Sequence, residues 1–326
     1  MKCAIVGAGY MGNLYADSIP FIPDLSIRWI VDKHEKKGKK LARKCHAKWS
    51  PTINPILTDS ETAIVLHALP TSFRMKFLER YKRASKHILC EKPLARSIKE
   101  AKQIRDIFRA YDKVFMVGNV VRFFWDYSRA RQMILSGEIG KPGIARFSRC
   151  FSSPDWMNQK DNWYLDRKKS GGVLLDLAIH DLDWLLWTFG PVKSGYARNI
   201  AGSKGISDYA LAILRFKNGA LAHIEASWIE APGSWYTSFE VCGQEGMIEH
   251  DTRESQTLRF TPKKTPAREI RERPSMESPY VTELKHFVDC INSGKKPVCS
   301  VKEGYEAVRL ALDLLESART GKPVSY

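Results

Sequence analysis

Short apolar runs alternate with helix-like stretches along the first third of the chain. The runs Cys3–Val6, Ala63–Leu69 and His87–Cys90 have the length of strands, and Met75–Ser85 between the last two has a helical pattern. Such an alternation is typical of a parallel sheet that is covered by helices on both faces. The pattern therefore predicts an α/β fold for residues 1–120.

The pattern changes after residue 120. A helical stretch is followed by segments in which apolar and polar residues alternate, as in strands with one buried face. Asn218-Gly219 joins two of these segments and favours a hairpin turn, because both residues accept positive φ angles. We therefore expect residues 121–326 to form a second, α+β domain with a largely antiparallel open sheet. The alternating segments are Ile144–Phe151, Tyr209–Phe216, Leu221–Trp228 and Thr237–Cys242.

A glycine motif directly follows the first apolar run. Gly7, Gly9 and Gly12 have the spacing G-x-G-x-x-G, and the next strand-like run ends at Asp32, about twenty residues further on. In this context the first glycine permits a tight turn, the second lets the backbone approach a pyrophosphate, and the third lets the helix pack closely on the sheet. The N-terminus of that helix attracts the phosphates. These residues predict a Rossmann domain that binds a dinucleotide.

Asp32 indicates which dinucleotide is bound. At the end of the second strand, its carboxylate is placed to accept hydrogen bonds from the adenosine ribose and would repel a 2′-phosphate, which favours NAD. Lys33, His34, Lys36 and Lys37 follow at once and could neutralise a phosphate, so NADP stays possible. Such a run of cations is also typical of the solvated face of a helix.

Composition narrows the class of protein. The chain has 326 residues, 44% of them apolar, and this suits two globular domains. No apolar run approaches the ~20 residues that cross a bilayer. Seven scattered cysteines without a C-x-x-C pair favour reduced thiols, a cytoplasmic location and no structural zinc. The net charge of +16 is spread along the chain without a nucleic-acid motif, so we expect neither nucleic acid nor membrane as a partner.

The segment Gly171–Trp187 carries an unusual pattern of charge. It is apolar around most of a helical circumference, yet Asp176, His180 and Asp183 stand at i, i+4 and i+7 on one stripe. Three ionisable groups that face a core are costly unless they pair with one another or line a polar cavity. Both arrangements fit the pattern, and we favour the cavity. A metal site is not predicted, because no further His or Cys ligands cluster nearby.

A second candidate, Glu91-Lys92-Pro93, ends the strand-like run His87–Cys90. In open α/β sheets, ligands bind outside the carboxyl ends of the strands. Pro93 restricts the residue before it to an extended conformation, which would aim Lys92 consistently. A plain turn would also fit these three residues.

Taken together, these motifs resemble the glucose–fructose oxidoreductase, inositol dehydrogenase and rhizopine-catabolism (Gfo/Idh/MocA) family. The resemblance covers nearly the whole chain, and Trp163–Trp184 is most similar to the inositol and sugar dehydrogenase branch. The matching motifs are the glycines Gly7, Gly9 and Gly12, the tripeptide Glu91-Lys92-Pro93, Gly171-Gly172 with Asp176 and His180, and the junction Arg122-Phe123 with Ser136–Pro142.

The resemblance implies an NAD-dependent dehydrogenase that oxidises a secondary hydroxyl of a sugar, an inositol or a related polyol. By position, His180 becomes the general base, Lys92 stabilises the developing alkoxide, and Asp176 orients His180 or holds a substrate hydroxyl. The family also implies an open sheet that builds a homodimer or homotetramer. The implied cofactor contacts are Gly7, Gly9, Tyr10, Met11, Gly12, Asp32, Pro70, Glu91 and Lys92.

Further substrate contacts are expected among polar and aromatic residues, because sugars present apolar ring faces and hydroxyl rims. The candidates besides Lys92, Asp176 and His180 are Arg122, Asn162, Trp163, Tyr164 and Tyr236. The chain departs from the family at Pro70–Arg74, where the usual pattern is Pro-Asn-x-x-His and Arg74 replaces the histidine. The cofactor and substrate contacts of that loop therefore cannot be carried over.

Two other functions remain open. One is an NAD-dependent glycosidase that oxidises its substrate transiently, and the other is a sensor that binds a dinucleotide without turnover. The intact set of Lys92, Asp176 and His180 argues against a sensor, which does not need groups for proton transfer. Net formation of NADH from a free polyol would separate a dehydrogenase from a glycosidase.

Overall fold

The chain folds into two compact units. The first contains Met1–Phe123 and Glu277–Tyr305, and the second contains Phe124–Met276 and Glu306–Tyr326. The computed structural model describes residues 1–152, 170–201, 207–231, 233–254, 257–262, 270–272 and 277–326.

A parallel six-stranded sheet forms the centre of the first unit, in the order β3-β2-β1-β4-β5-β6. This is the doubly wound order of a Rossmann fold, with the switch point between β1 and β4. The predicted α/β fold of this part is therefore confirmed. The strands are β1 (Lys2–Val6), β2 (Ser26–Val31), β3 (Lys48–Ser50), β4 (Thr62–His67), β5 (His87–Glu91) and β6 (Phe115–Gly118), and the α-helices between them are α1 (Tyr10–Ser18), α2 (Glu35–Lys44), α3 (Asn54–Thr58), α4 (Arg74–Arg83) and α5 (Ile98–Phe108).

The second unit is built on a nine-stranded sheet in the order β14-β13-β12-β11-β7-β10-β9-β8-β15. β7 and β10 are parallel, and the other neighbours are antiparallel, so the predicted largely antiparallel sheet is confirmed. Its strands are β7 (Pro142–Phe151), β8 (Val192–Ala201), β9 (Ser207–Phe216), β10 (Leu221–Ser227), β11 (Trp235–Gly243), β12 (Gly246–Asp251), β13 (Leu258–Pro262), β14 (Ile270–Glu272) and β15 (Val324–Ser325). The remaining α-helices of the described chain are α6 (Trp125–Leu135), α7 (Gly172–Asp176), α8 (Ile179–Phe189), α9 (Pro279–Ser293) and α10 (Val301–Thr320).

Helix α9 completes the core of the first unit. Its residues Val281, Leu284 and Phe287 are buried in one cluster with Tyr15 and Leu66 of the Rossmann fold. The apolar positions of α9 recur every three or four residues and so form one stripe along the helix. The predicted boundary at residue 120 follows chain order, whereas the structure returns a late segment of the chain to the first unit.

The two faces of the nine-stranded sheet differ. On the covered face, the ring centroid of Trp184 in α8 lies 5.2 Å from that of Phe147 and 5.8 Å from that of Phe239. On the opposite face, Ile144, Ile213 and Leu221 are 43%, 53% and 47% exposed. They lie on β7, β9 and β10, where Leu221 is paired with Ile144 and Ile213 is paired with His223. We call Ile144, Ile213 and Leu221 the open-face patch.

Three general features concern the whole described chain. None of the helices that the structure describes is long and apolar enough to cross a membrane. Within the same residues, no group of three or more His, Cys, Asp and Glu side chains is arranged to hold a metal ion. All seven cysteines are free thiols.

Candidate active site

The glycine loop joins β1 to α1. Gly7 has φ +108°, and a Cβ there would lie 2.7 Å from the carbonyl oxygen of Ala68, so this turn requires glycine. A Cβ on Gly12 would lie 1.8 Å from the carbonyl oxygen of Gly7, and the third glycine therefore lets the helix pack on the loop. A Cβ on Gly9 would meet nothing within 4 Å among the described atoms. This open space at the N-terminus of α1 fits a pyrophosphate that approaches the backbone closely.

Asp32 supports the glycine loop from the end of β2. Its Oδ2 accepts a hydrogen bond from the Ala8 N–H at 2.7 Å, and its Oδ1 accepts one from the His34 N–H at 2.7 Å. Each carboxylate oxygen has a second lone pair, so a ribose hydroxyl can still donate to Asp32. Asp32, which we expect to accept hydrogen bonds from the ribose, thus also fixes the glycine loop that would bind the phosphates.

The cations after Asp32 lie on a solvated surface. Lys33, His34, Lys36 and Lys37 are all exposed. Further along α2, Lys39 Nζ lies 2.5 Å from Glu35 Oε1 in an i, i+4 ion pair. In the glycine loop itself, the predicted contacts Tyr10 and Met11 are exposed and half-buried, respectively.

Lys92 directly follows β5, at the carboxyl edge of the parallel sheet. Its backbone N–H donates to Glu91 Oε2 at 3.2 Å, and its carbonyl oxygen accepts from Arg74 Nη2 at 3.0 Å. The Lys92-Pro93 peptide bond is cis. Pro70 follows β4, the neighbour of β5, at the same edge. Both residues therefore lie where open α/β sheets bind their ligands.

A buried cluster of acidic groups lies behind Lys92. The Tyr15 hydroxyl donates to Glu91, while neither carboxylate oxygen of the fully buried Glu283 has a hydrogen-bond partner among the described residues. Burial and the charge of Glu91 raise the pKa of Glu283 well above its usual range. Burial also raises the pKa of Glu91, but the Tyr15 hydrogen bond and the charges of Lys92 and Arg74 oppose this effect. Of these two carboxyl groups, burial therefore raises the pKa of Glu283 further, and the opposing contacts favour the charge on Glu91.

Arg74 begins α4, at the position where the family pattern has histidine. It is 1% exposed, and its Nε and Nη1 atoms have no hydrogen-bond partner within the part of the chain that the structure describes. Burial and, to a smaller extent, the charge of Arg74 lower the pKa of His67 to about 3. His67 is therefore neutral, and Arg74 is a buried cation beside the Lys92 peptide.

The segment Gly171–Trp187 forms two helices instead of the single helix that its pattern predicts. The Ala178 N–H donates to the carbonyl oxygen of Val173 at 2.8 Å, five residues back. The His180 N–H then donates to Leu177 at 3.3 Å, only three residues back. These bonds interrupt the regular α-helical ladder between α7 and α8.

The polar residues of these two helices differ in their exposure to solvent. Asp176 at the end of α7 is 7% exposed, and Asp181 and Asp183 in α8 are each 1% exposed. His180 is only partly buried. In the first turn of α8, His180 is therefore the titratable side chain that a substrate can reach.

A buried ion pair fixes α8 to the sheet. Arg149 on β7 donates to both carboxylate oxygens of Asp181, from Nε at 2.8 Å and from Nη2 at 2.6 Å. The same Nη2 also donates to the Tyr127 hydroxyl at 2.9 Å. A bidentate guanidinium–carboxylate pair has a defined geometry. Because Asp181 directly follows His180, this pair also anchors the turn of α8 that carries His180.

The other predicted substrate contacts have different locations. Arg122 is buried, and its guanidinium donates to the carbonyl oxygen of Val298 inside the first unit. Tyr236 alternates with the buried Thr237 and Phe239 along β11, so it lies on the open face of the sheet, opposite α8. The predicted contacts Asn162, Trp163 and Tyr164 lie outside the described residues.

Arg149 and Glu283 were not among the predicted site residues, although each stands at an unusual position in the sequence. Arg149 stands at an inward position of an alternating strand, where a charge requires a buried partner. Glu283 lies beside the apolar stripe of an amphipathic helix, where an acid is equally unusual. Neither signal identifies the partner, because Asp181 and Glu91 are distant in the chain.

Two family models match this chain. A model described as an oxidoreductase family with an NAD-binding Rossmann fold matches residues 1–119, and a Gfo/Idh/MocA C-terminal domain model matches residues 127–249. This chain belongs to the Gfo/Idh/MocA family of oxidoreductases. The predicted family, the oxidoreductase activity and NAD as the cofactor are thereby confirmed.

Relatives of this Gfo/Idh/MocA protein include two inositol dehydrogenases. The scyllo-inositol 2-dehydrogenase (NAD(+)) of Bacillus subtilis is 27% identical over 99% of this chain and 96% of its own length. The myo-inositol 2-dehydrogenase of Thermotoga maritima is 26% identical over 99% of this chain and 98% of its own length. The crystal structure of levoglucosan dehydrogenase in complex with NADH has a TM-score of 0.90 at 21% identity, over 100% of this chain and 98% of that chain. This likeness confirms the predicted fold class.

Proposed function

We propose that this oxidoreductase oxidises a secondary hydroxyl group of a sugar, an inositol or a related polyol and transfers the hydride to NAD. The partly exposed side chain of His180, four residues after the buried Asp176 and directly before the buried Asp181, carries the proposal. A general base has to contact its substrate, and its pKa should lie near the working pH of the enzyme. The reference pKa of histidine is near neutral, which suits this role. Inositol dehydrogenases among its relatives support the substrate class.

Oxidation of an alcohol removes a proton from oxygen and a hydride from carbon. An imidazole nitrogen of His180 takes the hydroxyl proton and becomes imidazolium, while Asp176 orients His180 or holds a neighbouring hydroxyl. The ammonium group of Lys92 donates a hydrogen bond to the reacting oxygen and stabilises its negative charge. NAD, when bound, supplies the hydride acceptor.

We assign cofactor binding to residues 1–120 and substrate binding to residues 121–326. Asp32 supports NAD over NADP, because its carboxylate would repel a 2′-phosphate. Asn162, Trp163 and Tyr164 remain our proposed additional contacts to the substrate. Arg122 and Tyr236 are less suited to that role, because one is bound to a backbone carbonyl and the other faces away from α8.

We also propose that the chain forms a homodimer or homotetramer through the open face of the nine-stranded sheet. The open-face patch of Ile144, Ile213 and Leu221 exposes three large apolar side chains on neighbouring strands, and exposed apolar surface often marks protein–protein contacts. An ion pair between Arg146 and Glu240 lies at its border. The free thiols further support our proposal of a cytoplasmic protein.

The proposed function is tested by NADH absorbance with purified protein. The assay combines NAD or NADP with myo-inositol, scyllo-inositol, levoglucosan, aldoses, sugar acids and phosphosugars. We expect one substrate group to reduce NAD, and to reduce NADP more slowly. No reduction across the panel, with NAD binding confirmed by calorimetry, would contradict the dehydrogenase. Exchange of substrate C–H hydrogen with solvent deuterium, without net NADH, would instead identify a glycosidase.

A further inference from the structure

Both main-chain polar groups of Lys92, its N–H and its carbonyl oxygen, are bound by buried acidic and basic side chains. The carboxylate of Glu91 accepts from the Lys92 N–H at 3.2 Å, and the guanidinium of Arg74 donates to the Lys92 carbonyl oxygen at 3.0 Å. Glu91 and Arg74 are 7% and 1% exposed. Hydrogen bonds with a charged partner are stronger than neutral ones, so the main chain of Lys92 is held firmly at its N–H and at its carbonyl oxygen.

The hydrogen bonding of Arg74 indicates that its role concerns Lys92. A guanidinium has five N–H donors, and leaving them unpaired in the interior is costly. Nevertheless, Nε and Nη1 of Arg74 have no partner in the described part of the chain, and the described hydrogen bond of Arg74 goes to Lys92. An arginine that served only stability would have more of its donors satisfied by the fold.

Glu91 also supplies the charge that compensates Arg74. The Tyr15 hydroxyl and the Lys92 N–H both donate to Glu91, which favours its ionised form. Glu283 lies against the same cluster from α9, and its pKa is raised further than that of Glu91. The interior behind Lys92 therefore contains the guanidinium of Arg74 and the carboxyl group of Glu91, each bonded to the main chain of Lys92.

We propose that Arg74 is a positioning residue that acts through Lys92. Together with Glu91, it fixes the main chain of Lys92, so that the ε-ammonium group points to the reacting oxygen in one direction. The kinetic consequence rests on the proposed dehydrogenase function. Arg74 stands where the family pattern has histidine, so this arrangement belongs to this chain.

The test compares Arg74→Met, which keeps the length and removes the donors, with Arg74→Lys, which keeps the charge and one donor group. Arg80→Met, on the same helix, is the matched control. Each purified variant is assayed for kcat and for the KM of NAD with the panel member that the wild type oxidises fastest. In parallel, acetic anhydride labels the lysines of the cofactor-free proteins, and mass spectrometry measures the labelling rate of Lys92 relative to the other lysines.

We expect Arg74→Met to lower kcat roughly tenfold to a hundredfold, with the KM of NAD changed less than about twofold, because a displaced group acts poorly in the chemical step. Labelling of Lys92 should rise at least about threefold relative to the other lysines, since a loosened peptide unit lets the side chain reach solvent more often. Arg74→Lys should recover part of both effects, and Arg80→Met should match the wild type.

Unchanged kcat and unchanged Lys92 labelling in Arg74→Met would overturn the proposal. An equal loss in kcat and in NAD binding, with uniformly faster labelling of all lysines, would also overturn it, because that result shows a general structural role. If Arg74→Met does not fold, kcat and the labelling rate of Lys92 are measured for Arg74→Lys instead. Wild-type values of both would then overturn the proposal. Failure of the wild type to reduce NAD would contradict the proposed function, while the labelling experiment would still test the positioning of Lys92.

Discussion

At the scale of single residues, neighbours in the chain have different roles because their surroundings differ. His180 is accessible, whereas the next residue, Asp181, is buried and bound by Arg149. The charge pattern of the sequence marks His180 but not Asp181, which lies off the predicted stripe. The ion pair of the buried Asp181 with Arg149 anchors α8, while the partial exposure of His180 supports its proposed role in proton transfer.

Replacing His180 by alanine removes the proposed general base. We expect kcat to fall roughly a hundredfold or more, while the Kd of NAD changes less than about twofold. NADH formation and calorimetric titration with NAD measure the two quantities. His223→Ala, which replaces an exposed histidine on β10, is the control and should keep full activity. Near-normal turnover of His180→Ala would remove this residue from the mechanism.

Replacing Asp32 by alanine removes the acceptor of two backbone N–H groups in and after the glycine loop. We expect the Kd of NAD to rise about tenfold or more, because the lost hydrogen bonds have a charged acceptor. Discrimination against NADP should also relax. Asp17→Ala, at an exposed position of α1, should bind like the wild type. An unchanged preference for NAD would show that a residue other than Asp32 recognises the adenosine ribose.

Glu283 should make stability depend on pH. Because its pKa is raised in the folded protein above the ordinary value of 4.5, the folded state binds more protons than the unfolded chain above that pH. The contribution of Glu283 to the free energy of unfolding therefore falls as the pH rises above that value, by up to about 1.4 kcal/mol per pH unit. Glu283→Gln keeps the shape without the titration, so its stability relative to the wild type should increase as the pH rises above about 5.

Urea unfolding at several pH values measures this difference. Glu79→Gln, whose side chain is 42% exposed in the wild type, should differ from the wild type by a constant amount. A constant difference for Glu283→Gln as well would show that Glu283 titrates normally in the folded protein.

The positions of single residues were predictable from the sequence where the signal is local. Lys92 and His180 belong to short motifs, and Lys92 lies at the carboxyl edge of the sheet as expected, while the chemistry of both residues stays a prediction. The raised pKa of Glu283 was not predictable, because it depends on burial and on Glu91, a residue far away in the chain. The role of Arg74 was equally hidden, since the sequence shows only that it departs from the family pattern.

At the scale of elements, the glycine loop shows that glycines in one motif have different functions. We expect Gly9→Ala to change the free energy of unfolding by less than about 0.5 kcal/mol, because its Cβ would meet nothing. It should weaken NAD binding about tenfold or more, since the methyl group occupies the space for the pyrophosphate. Gly12→Ala should instead lower stability by roughly 2 kcal/mol, because its Cβ would collide with the loop backbone. Urea unfolding and NAD titration of both variants measure this contrast, and equal effects on stability would contradict it.

The helices α7 and α8 show the limit of periodicity as a predictor. The apolar pattern of Gly171–Trp187 fits one continuous helix, and the break at Leu177-Ala178 leaves it almost unchanged. No proline marks the break, so local sequence gives no reason for it. Strands were predicted more reliably, as for β5, because their apolar runs are short and bounded by turn residues.

At the scale of the whole molecule, the open-face patch determines the expected assembly. We expect the wild type to elute as a dimer or tetramer, and Ile213→Asp to dissociate it, because the variant places a charge in an apolar interface. Light scattering coupled to size exclusion measures the mass. Leu135→Asp alters another exposed apolar residue, at the end of α6, and should leave the mass unchanged. A monomeric wild type would contradict the proposed assembly.

The fold class of both parts was predictable, because each has its own periodicity. The return of α9 to the first unit was not, since an amphipathic helix shows that it packs but not on which surface. This long-range contact brings Glu283 to the acidic cluster behind Lys92.

The position of α9 in the chain also affects biosynthesis. The ribosome makes the glycine loop first and α9 near the end, so the cofactor-binding unit lacks part of its core during most of translation. A polypeptide that stops before residue 279 contains every glycine of the motif and yet leaves Tyr15 and Leu66 without their apolar partners from α9. Exchange of this unit between homologues likewise requires two separate gene segments, one before the second unit and one between its two parts.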